Sequence, residues 1–263
     1  MTTSESPAWV YEKNNVKAIF EPWARVLIDF AHPRPGERVL DAACGTGIVA
    51  RLVRPLVGAS GRIVGVDFDP LMLEVAKTLA PDIEWQQGDL RKLPFPEAAF
   101  DLVVCQQGLQ FLPDRVVALR EMHRVLRPGG RLVLSVWTDL AKSPGQAALF
   151  GALGALLGQD MSKPPPWSLT DESEVLALVS GAGFVNTQAS LQSLRATYPS
   201  ARAFVEALIA GTSKLSRELL AQVPADRKAA FTDEVVERLR DYETSAGLQV
   251  PNESRLVTAR KPD

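Results

Sequence analysis

The chain has 263 residues, 46% of them hydrophobic and 23% charged, enough to bury one sizeable core and still carry insertions. A formal net charge of −2 with a pI of about 5.8 removes the electrostatic case for a nucleic-acid or anionic-membrane partner. No apolar run approaches the roughly 20 residues that span a bilayer, and residues 1–15 show no secretory or transit pattern, so a cytoplasmic location is expected.

The first element is a helix with Val16, Phe20, Trp23, Leu27 and Phe30 on one face, which Pro22 is expected to break or kink. A loop follows, His32-Pro33-Arg34-Pro35-Gly36. From residue 38 onward strands and helices alternate. The strands are expected at 38–42, 62–66, 83–86, 100–105 and 131–137, with helices at 48–57, 70–79 and 114–126 between them. Asp69-Pro70 and Pro113-Asp114 supply helix starts, and Pro128-Gly129-Gly130 a stop. Such alternation predicts an α/β fold, a parallel sheet covered by helices on both faces. Residues 141–169 read as an excursion rich in Ala, Gly and Pro. A helix is expected over 170–180 and a strand over 184–194. Residues 200–250 read as a helical insertion whose apolar positions include Phe204 and Leu208, Leu215 and Leu219, and Phe231, Val235, Leu239 and Tyr242. A last strand, 254–259, closes one domain whose parts are 1–35, 36–140, 141–169, 170–199, 200–250 and 251–263.

Chemistry concentrates in Asp41-Ala42-Ala43-Cys44-Gly45-Thr46-Gly47, an acid at a strand end and a small-residue loop running into a helix. A loop of this kind lets backbone pass close to a ligand. It lacks the lysine of a phosphate-binding G-x-x-x-x-G-K-[ST] loop. The second strand ends in Asp67, twenty positions after Gly47, where a carboxylate can accept from both ribose hydroxyls of a dinucleotide or an adenosyl ligand. The third ends in Gly88-Asp89-Leu90, whose carboxylate can accept from an exocyclic amine, or simply close an Asx-turn. Asp41 would repel a pyrophosphate and favour a sulfonium or ammonium. Cys44 and Cys105 stand outside any CxxC pair or Cys/His cluster and read as buried free thiols, with no metal expected.

These residues resemble the class I S-adenosylmethionine-dependent methyltransferases of small molecules, similar to the ubiquinone/menaquinone-biosynthesis and natural-product enzymes. The family loop D/E-h-G-x-G-x-G is matched from Asp41 to Gly47, with Ala43 in place of the first glycine. Phe100-Asp101-Leu102-Val103-Val104 resembles the fourth strand, and Arg124-Val125-Leu126-Arg127-Pro128-Gly129-Gly130 the turn before the fifth. The resemblance implies a Rossmann-like, doubly wound, seven-stranded sheet in the order 3-2-1-4-5-7-6 with strand 7 antiparallel, and helical cover insertions. It implies S-adenosyl-L-methionine as cofactor and S-adenosyl-L-homocysteine as product. The implied cofactor residues are Asp41, Ala43, Gly45, Thr46, Gly47, Asp67, Phe68 (packed on adenine), Met72, Gly88, Asp89, Leu90 and Gln106.

Methyl transfer from a sulfonium needs chiefly alignment and exclusion of water. Only His32 and His123 offer imidazoles, and both read as structural or surface groups, so no catalytic base is assigned. Tyr11, Gln107 and Phe111 are the expected substrate-facing residues, and Trp9, Phe20, Trp23 and Trp167 are further candidates to line an apolar acceptor pocket. The fourth strand runs into Gln106-Gln107-Gly108 rather than the [DN]-P-P-[YFW] with which amino-methylases of DNA and of some proteins hold a planar amine, which argues against those substrates. A small apolar or aromatic acceptor, methylated at oxygen or carbon, is expected. An NAD(P)-dependent oxidoreductase shares Asp67 and the fold but leaves Asp41 and the short glycine spacing unexplained. A non-catalytic S-adenosylmethionine-binding protein on the same scaffold is the other alternative.

Overall fold

The computed structural model describes residues 6–210 and 218–263. Leu215 lies outside the described residues, so its expected pairing with Leu219 has no counterpart here. The strands are β1 (Arg38–Ala42), β2 (Arg62–Asp67), β3 (Glu84–Gln87), β4 (Phe100–Gln106), β5 (Leu126–Trp137), β6 (Val185–Tyr198), β7 (Glu243–Thr244) and β8 (Gly247–Arg260). They form one sheet in the order β3-β2-β1-β4-β5-β8-β6, with β7 paired only to β8. Strands β1 to β5 pair in parallel, and β8 runs antiparallel to β5. The expected order and antiparallel strand are therefore present. The count is eight rather than seven, because the two-residue β7 forms a hairpin with the start of β8.

Two compact units can be distinguished. One holds Trp23–Trp137, Leu169–Gln192 and Ser254–Asp263. In it, β1 and β4 are apolar runs buried on both faces, as parallel strands require. The intervening helices are α3 (Ile48–Val57), α4 (Pro70–Leu79), α5 (Arg115–Val125) and α7 (Glu172–Gly181). Asp69, Asp114 and Asp171 cap α4, α5 and α7, their carboxylates accepting from the backbone N–H of Leu71, Val117 and Glu174.

The other unit gathers the N-terminal residues up to Pro22, Thr138–Ser168 and Ser193–Glu253. It contains α1 (Pro7–Val10), α6 (Pro144–Leu157), α8 (Ala201–Ala210) and the helix Lys228–Arg238. Buried Asn15 ties this unit together. Its amide donates to the Ala207 carbonyl (3.2 Å) and its carbonyl accepts from the Tyr198 hydroxyl (3.0 Å).

Several boundaries differ from expectation, each for a physical reason. Pro22 does not break the first helix. Residues Tyr11–Phe20 are wound as a π-helix, and α2 (Glu21–Ala31) continues directly, with the wider turn accommodating a residue that lacks an N–H. Strand β5 begins at Leu126 instead of 131. Phe100 pairs with Leu126, then the register jumps to Leu102 and Arg131, so Arg127–Gly130 form a bulge. Strand β8 starts before Pro251, a residue that in sequence reads as a strand breaker. Phe231, Val235 and Leu239 do share a buried face, while Tyr242 leaves it in a short 3₁₀ turn.

Asp101 fastens the bottom of the sheet. It accepts from the Arg38 backbone N–H (2.8 Å), Arg38 Nε (3.1 Å) and Arg127 Nε (2.6 Å). Burial alone would raise its carboxyl, but the bonds from Arg38 and Arg127 outweigh it and hold the pKa at about 2. The depressed pKa stabilises the fold above the ordinary value of 3.8, and that contribution is lost as pH falls from there through about 2. Because both guanidiniums are partly exposed, Asp101→Asn is expected to lose about 1–2 kcal/mol at pH 7. Urea denaturation should show the gap between variant and wild type closing as the pH approaches the folded-state value.

Candidate active site: the glycine loop and the strand-end acids

The loop after β1 adopts the left-handed conformation at every second residue: φ is +59° at Ala43, +55° at Gly45 and +85° at Gly47. Ala43 is thus strained in a region that favours glycine, at a cost of about 1–2 kcal/mol. The structure also shows what accommodates its methyl group. A Cβ built on Gly108 would stand 2.6 Å from the Ala43 Cβ and 2.9 Å from the Cys105 Sγ. The methyl therefore sits in a notch that exists only because residue 108 is glycine. At the other end, a Cβ on Gly47 would stand 2.2 Å from the Trp85 ring.

Asp67 locks the loop from the side. Its Oδ2 accepts from the Gly45 N–H at 2.7 Å, and its Oδ1 accepts from the Asp69 N–H at 2.9 Å. The Phe68 N–H also bonds to this carboxylate, whose roughly four lone-pair sites still leave room to accept from a ligand hydroxyl. Burial raises its pKa, against the pull of the Asp69 and Gly45 N–H bonds.

Asp41 is 1% exposed. Its Oδ2 accepts from the Ala50 N–H of α3 at 3.0 Å, while Oδ1 finds no hydrogen-bond partner among the described residues. Burial pushes its pKa up to about 7. The Ala50 N–H opposes that shift and the Asp67 charge adds to it. Thr46 is likewise buried, its hydroxyl without a partner among the described residues. Both thiols are free and buried, with the Cys105 pKa raised to about 12 by burial.

The remaining expected residues divide. Phe68, next to Asp67, is 68% exposed, an aromatic face open to stacking. Met72 and Leu90 are buried, and a Cβ on Gly88 would press on Val66 at 3.1 Å. Gln106 closes β4, half-buried. Phe111 sits half-buried in the 3₁₀ turn Leu109–Phe111.

Four side chains expected near the ligand or acceptor are engaged within the protein. Asp89 is not a free acceptor. Its oxygens take the backbone N–H of Arg91 (2.8 Å) and the Arg91 guanidinium (2.6 Å at closest), closing an Asx-turn and an ion pair. Those bonds lower its pKa. Gln107, expected near the transferred methyl, is bonded inside the protein. It is buried at φ +51°, its amide donates to Ser254 Oγ (2.8 Å) on β8, and its carbonyl accepts from Gln110 (3.2 Å). Trp23 and Trp167 are core rather than pocket walls, packed edge-on against Trp137 and Phe150 at 5.9 Å and 5.7 Å. Tyr11 belongs to the helical unit, where its ring lies 5.2 Å from Phe20.

Residues that sequence reasoning passed over are Gly65, Trp85, Gly108, Arg91 and Ser254. The one local hint was a glycine in mid-strand at Gly65, a position that packs nothing of its own and invites a neighbour's approach.

A mostly parallel sheet with an acid-flanked glycine loop at its carboxyl edge is a Rossmann-like fold. More narrowly, residues 40–134 match a family model described as a methyltransferase domain. A 2-phytyl-1,4-naphthoquinone methyltransferase of Synechococcus elongatus is 38% identical over 43% of this chain and 51% of its own length. A ubiquinone/menaquinone biosynthesis C-methyltransferase of Ectopseudomonas mendocina is 42% identical over 43% of this chain and 46% of its own. The chain thus spans about half the length of the curated relatives it matches. Among solved structures, the YcgJ protein of Bacillus subtilis superposes with a TM-score of 0.60 at 21% identity, over 91% of this chain and 98% of that one. A phosphoethanolamine N-methyltransferase of Haemonchus contortus, in complex with S-adenosyl-L-methionine, gives 0.62 at 17% identity, over 100% of this chain and 59% of that one. At these identities the two structures establish the fold.

Two outcomes follow from the loop. Gly108→Ala is expected to cost about 1–3 kcal/mol by overpacking, and less in an Ala43→Gly background, because the methyl in the notch is then gone. A thermal-denaturation double-mutant cycle reads the coupling, and additive costs would show that the notch is not what restricts residue 108. Asp41 binds its proton more tightly folded than unfolded, so it draws stability away as pH rises from 3.8 to about 7. Asp41→Asn should flatten this slope. Urea midpoints across that range should move in favour of the variant as the pH rises.

Proposed function

We propose that the chain transfers a methyl group from S-adenosyl-L-methionine to a small aromatic or apolar acceptor, at carbon or oxygen, and that the acceptor ring is of reduced-quinone type. The observation that carries this is the pairing of a backbone cradle, held by Asp67, with a buried carboxylate oxygen of Asp41 that no donor among the described residues satisfies. A buried acid of this kind suits a cationic ligand and would repel a pyrophosphate. It favours a sulfonium and ammonium over a dinucleotide.

The residues present fit that cofactor. The Asp67 lone pairs left over from Gly45, Phe68 and Asp69 face the task of accepting the ribose hydroxyls. Exposed Phe68 supplies an aromatic face for adenine. The left-handed alternation from Ala43 to Gly47 removes side chains where backbone must approach the ligand. When bound, the sulfonium supplies an already activated methyl group. What is asked of the protein is alignment of the acceptor and a dry surface. In the proposal the Asp89 contact with the adenine amine shares the carboxylate with Arg91 or displaces its guanidinium.

Neither histidine supports general-base catalysis. His32 lies in the loop before β1, and the His123 ring packs edge-on against Phe184 at 5.0 Å with its pKa lowered by burial. That suits an acceptor which is itself nucleophilic, as the electron-rich ring carbon of a hydroquinone is. The names of the relatives, quinone C-methyltransferases among them, support the same class.

Isothermal calorimetry is expected to show binding of S-adenosyl-L-methionine and S-adenosyl-L-homocysteine and none of NAD(P). Asp67→Asn should weaken both by about 1.5–3 kcal/mol, roughly 10- to 100-fold; unchanged affinity would refute the ribose role. Incubation with reduced naphthoquinones and simple phenols, read by mass, should give a methyl gain on the quinone ring. Binding of nicotinamide cofactors without response to the sulfonium would sink the proposal.

A further inference from the structure

Asp41, Gly65 and Trp85 stand in register across β1, β2 and β3, so their side-chain positions share one face of the sheet. Gly65 contributes no side chain, and the Trp85 indole fills the space. A Cβ at Gly65 would stand 2.3 Å from Trp85 Cζ3 and 3.1 Å from the Cys44 Sγ. The same ring reaches past β2 to Gly47, the residue before α3, where a Cβ would meet Cη2 at 2.2 Å and Cζ3 at 2.8 Å. Its Nε1–H is anchored to the Ala80 carbonyl at the end of α4, at 2.8 Å. The indole is therefore keyed between two glycines from different elements and tethered at its polar end. Phenylalanine cannot reproduce this, lacking both the outer ring and the N–H donor.

We infer that Trp85 is a positioning residue for the methyl-donor site: its indole, seated against Gly65 and Gly47, holds the glycine loop in the conformation that receives the cofactor. The inference rests on the assignment of S-adenosyl-L-methionine to this loop. Gly47 is where the loop turns into α3, at φ +85°. A shift there moves the Gly45 N–H away from Asp67 and opens the path to Asp41. Trp85 lies against the backbone of Gly47, so it acts through the loop's main chain. Nothing in this arrangement requires the remaining tryptophans, Trp9, Trp23, Trp137 and Trp167.

The test uses the full chain with Trp85→Leu, Trp85→Phe and Gly65→Ala, titrated with S-adenosyl-L-methionine and S-adenosyl-L-homocysteine by calorimetry well below each variant's Tm. Trp85→Leu is expected to weaken both ligands about 10-fold, and Trp85→Phe about 3-fold, a partial rescue by a ring that fills half the slot. Gly65→Ala, which displaces the indole without deleting it, should weaken both as well. Wild-type tryptophan emission should change on adding S-adenosyl-L-homocysteine, and Trp85→Phe should abolish that change. A purely structural tryptophan would lower Tm while leaving both dissociation constants and the ligand-induced emission change intact, and that result overturns the inference. Should Trp85→Leu fail to fold, Trp85→Phe and Gly65→Ala decide by the same criteria. Failure of the wild type to bind either ligand would instead refute the cofactor assignment itself.

Discussion

Everything at the carboxyl edge of the sheet depends on holding five residues, Ala43 to Gly47, in a backbone that is left-handed at every second position. Such a loop is not stable on its own, since one of the three residues carries a Cβ that disfavours the conformation. It is held from three directions. Asp67 takes the Gly45 N–H, Gly108 leaves a notch for the Ala43 methyl, and Trp85 closes on Gly47. Each support comes from a different strand or the turn after it, so the loop exists only when β1, β2, β3 and β4 are assembled in this register.

Asp41 is the energetic counterpart of that geometry. A carboxylate with one satisfied oxygen, sealed from water and facing the charge of Asp67, opposes folding at neutral pH rather than supporting it. Asp101 at the opposite end of the strands shows the contrast. There the acid is paired with two guanidiniums, and its low pKa marks a group that strengthens the sheet.

Much of the architecture was legible without coordinates. The strand–helix alternation, the capped starts at Asp69 and Asp114 and the acids at strand ends are signals spaced along a few consecutive residues. Where such signals were ambiguous the structure moved the boundary, as at Pro22, at the bulge Arg127–Gly130 and ahead of Pro251. The site was legible in kind and less so in detail. Asp89 has the expected position, yet a neighbour two residues away takes its charge, because Arg91 can fold back over an Asx-turn. Gln107 follows the strand end as anticipated, yet its positive φ turns the amide inward to Ser254, 147 residues further along the chain.

The sequence by itself determined the class of fold, the glycine loop and the two acids, Asp41 and Asp67, that flank it. These follow from periodicity and from local motif, which are properties of neighbouring residues. Only the tertiary structure decided that Ala43 is strained and needs Gly108, that Trp85 occupies the space left by Gly65 and Gly47, and that Asp41 is buried with an unsatisfied oxygen. Those relations cross between strands. They are set by register and side-chain direction, and no spacing along the chain encodes which residues will face each other once the sheet is built.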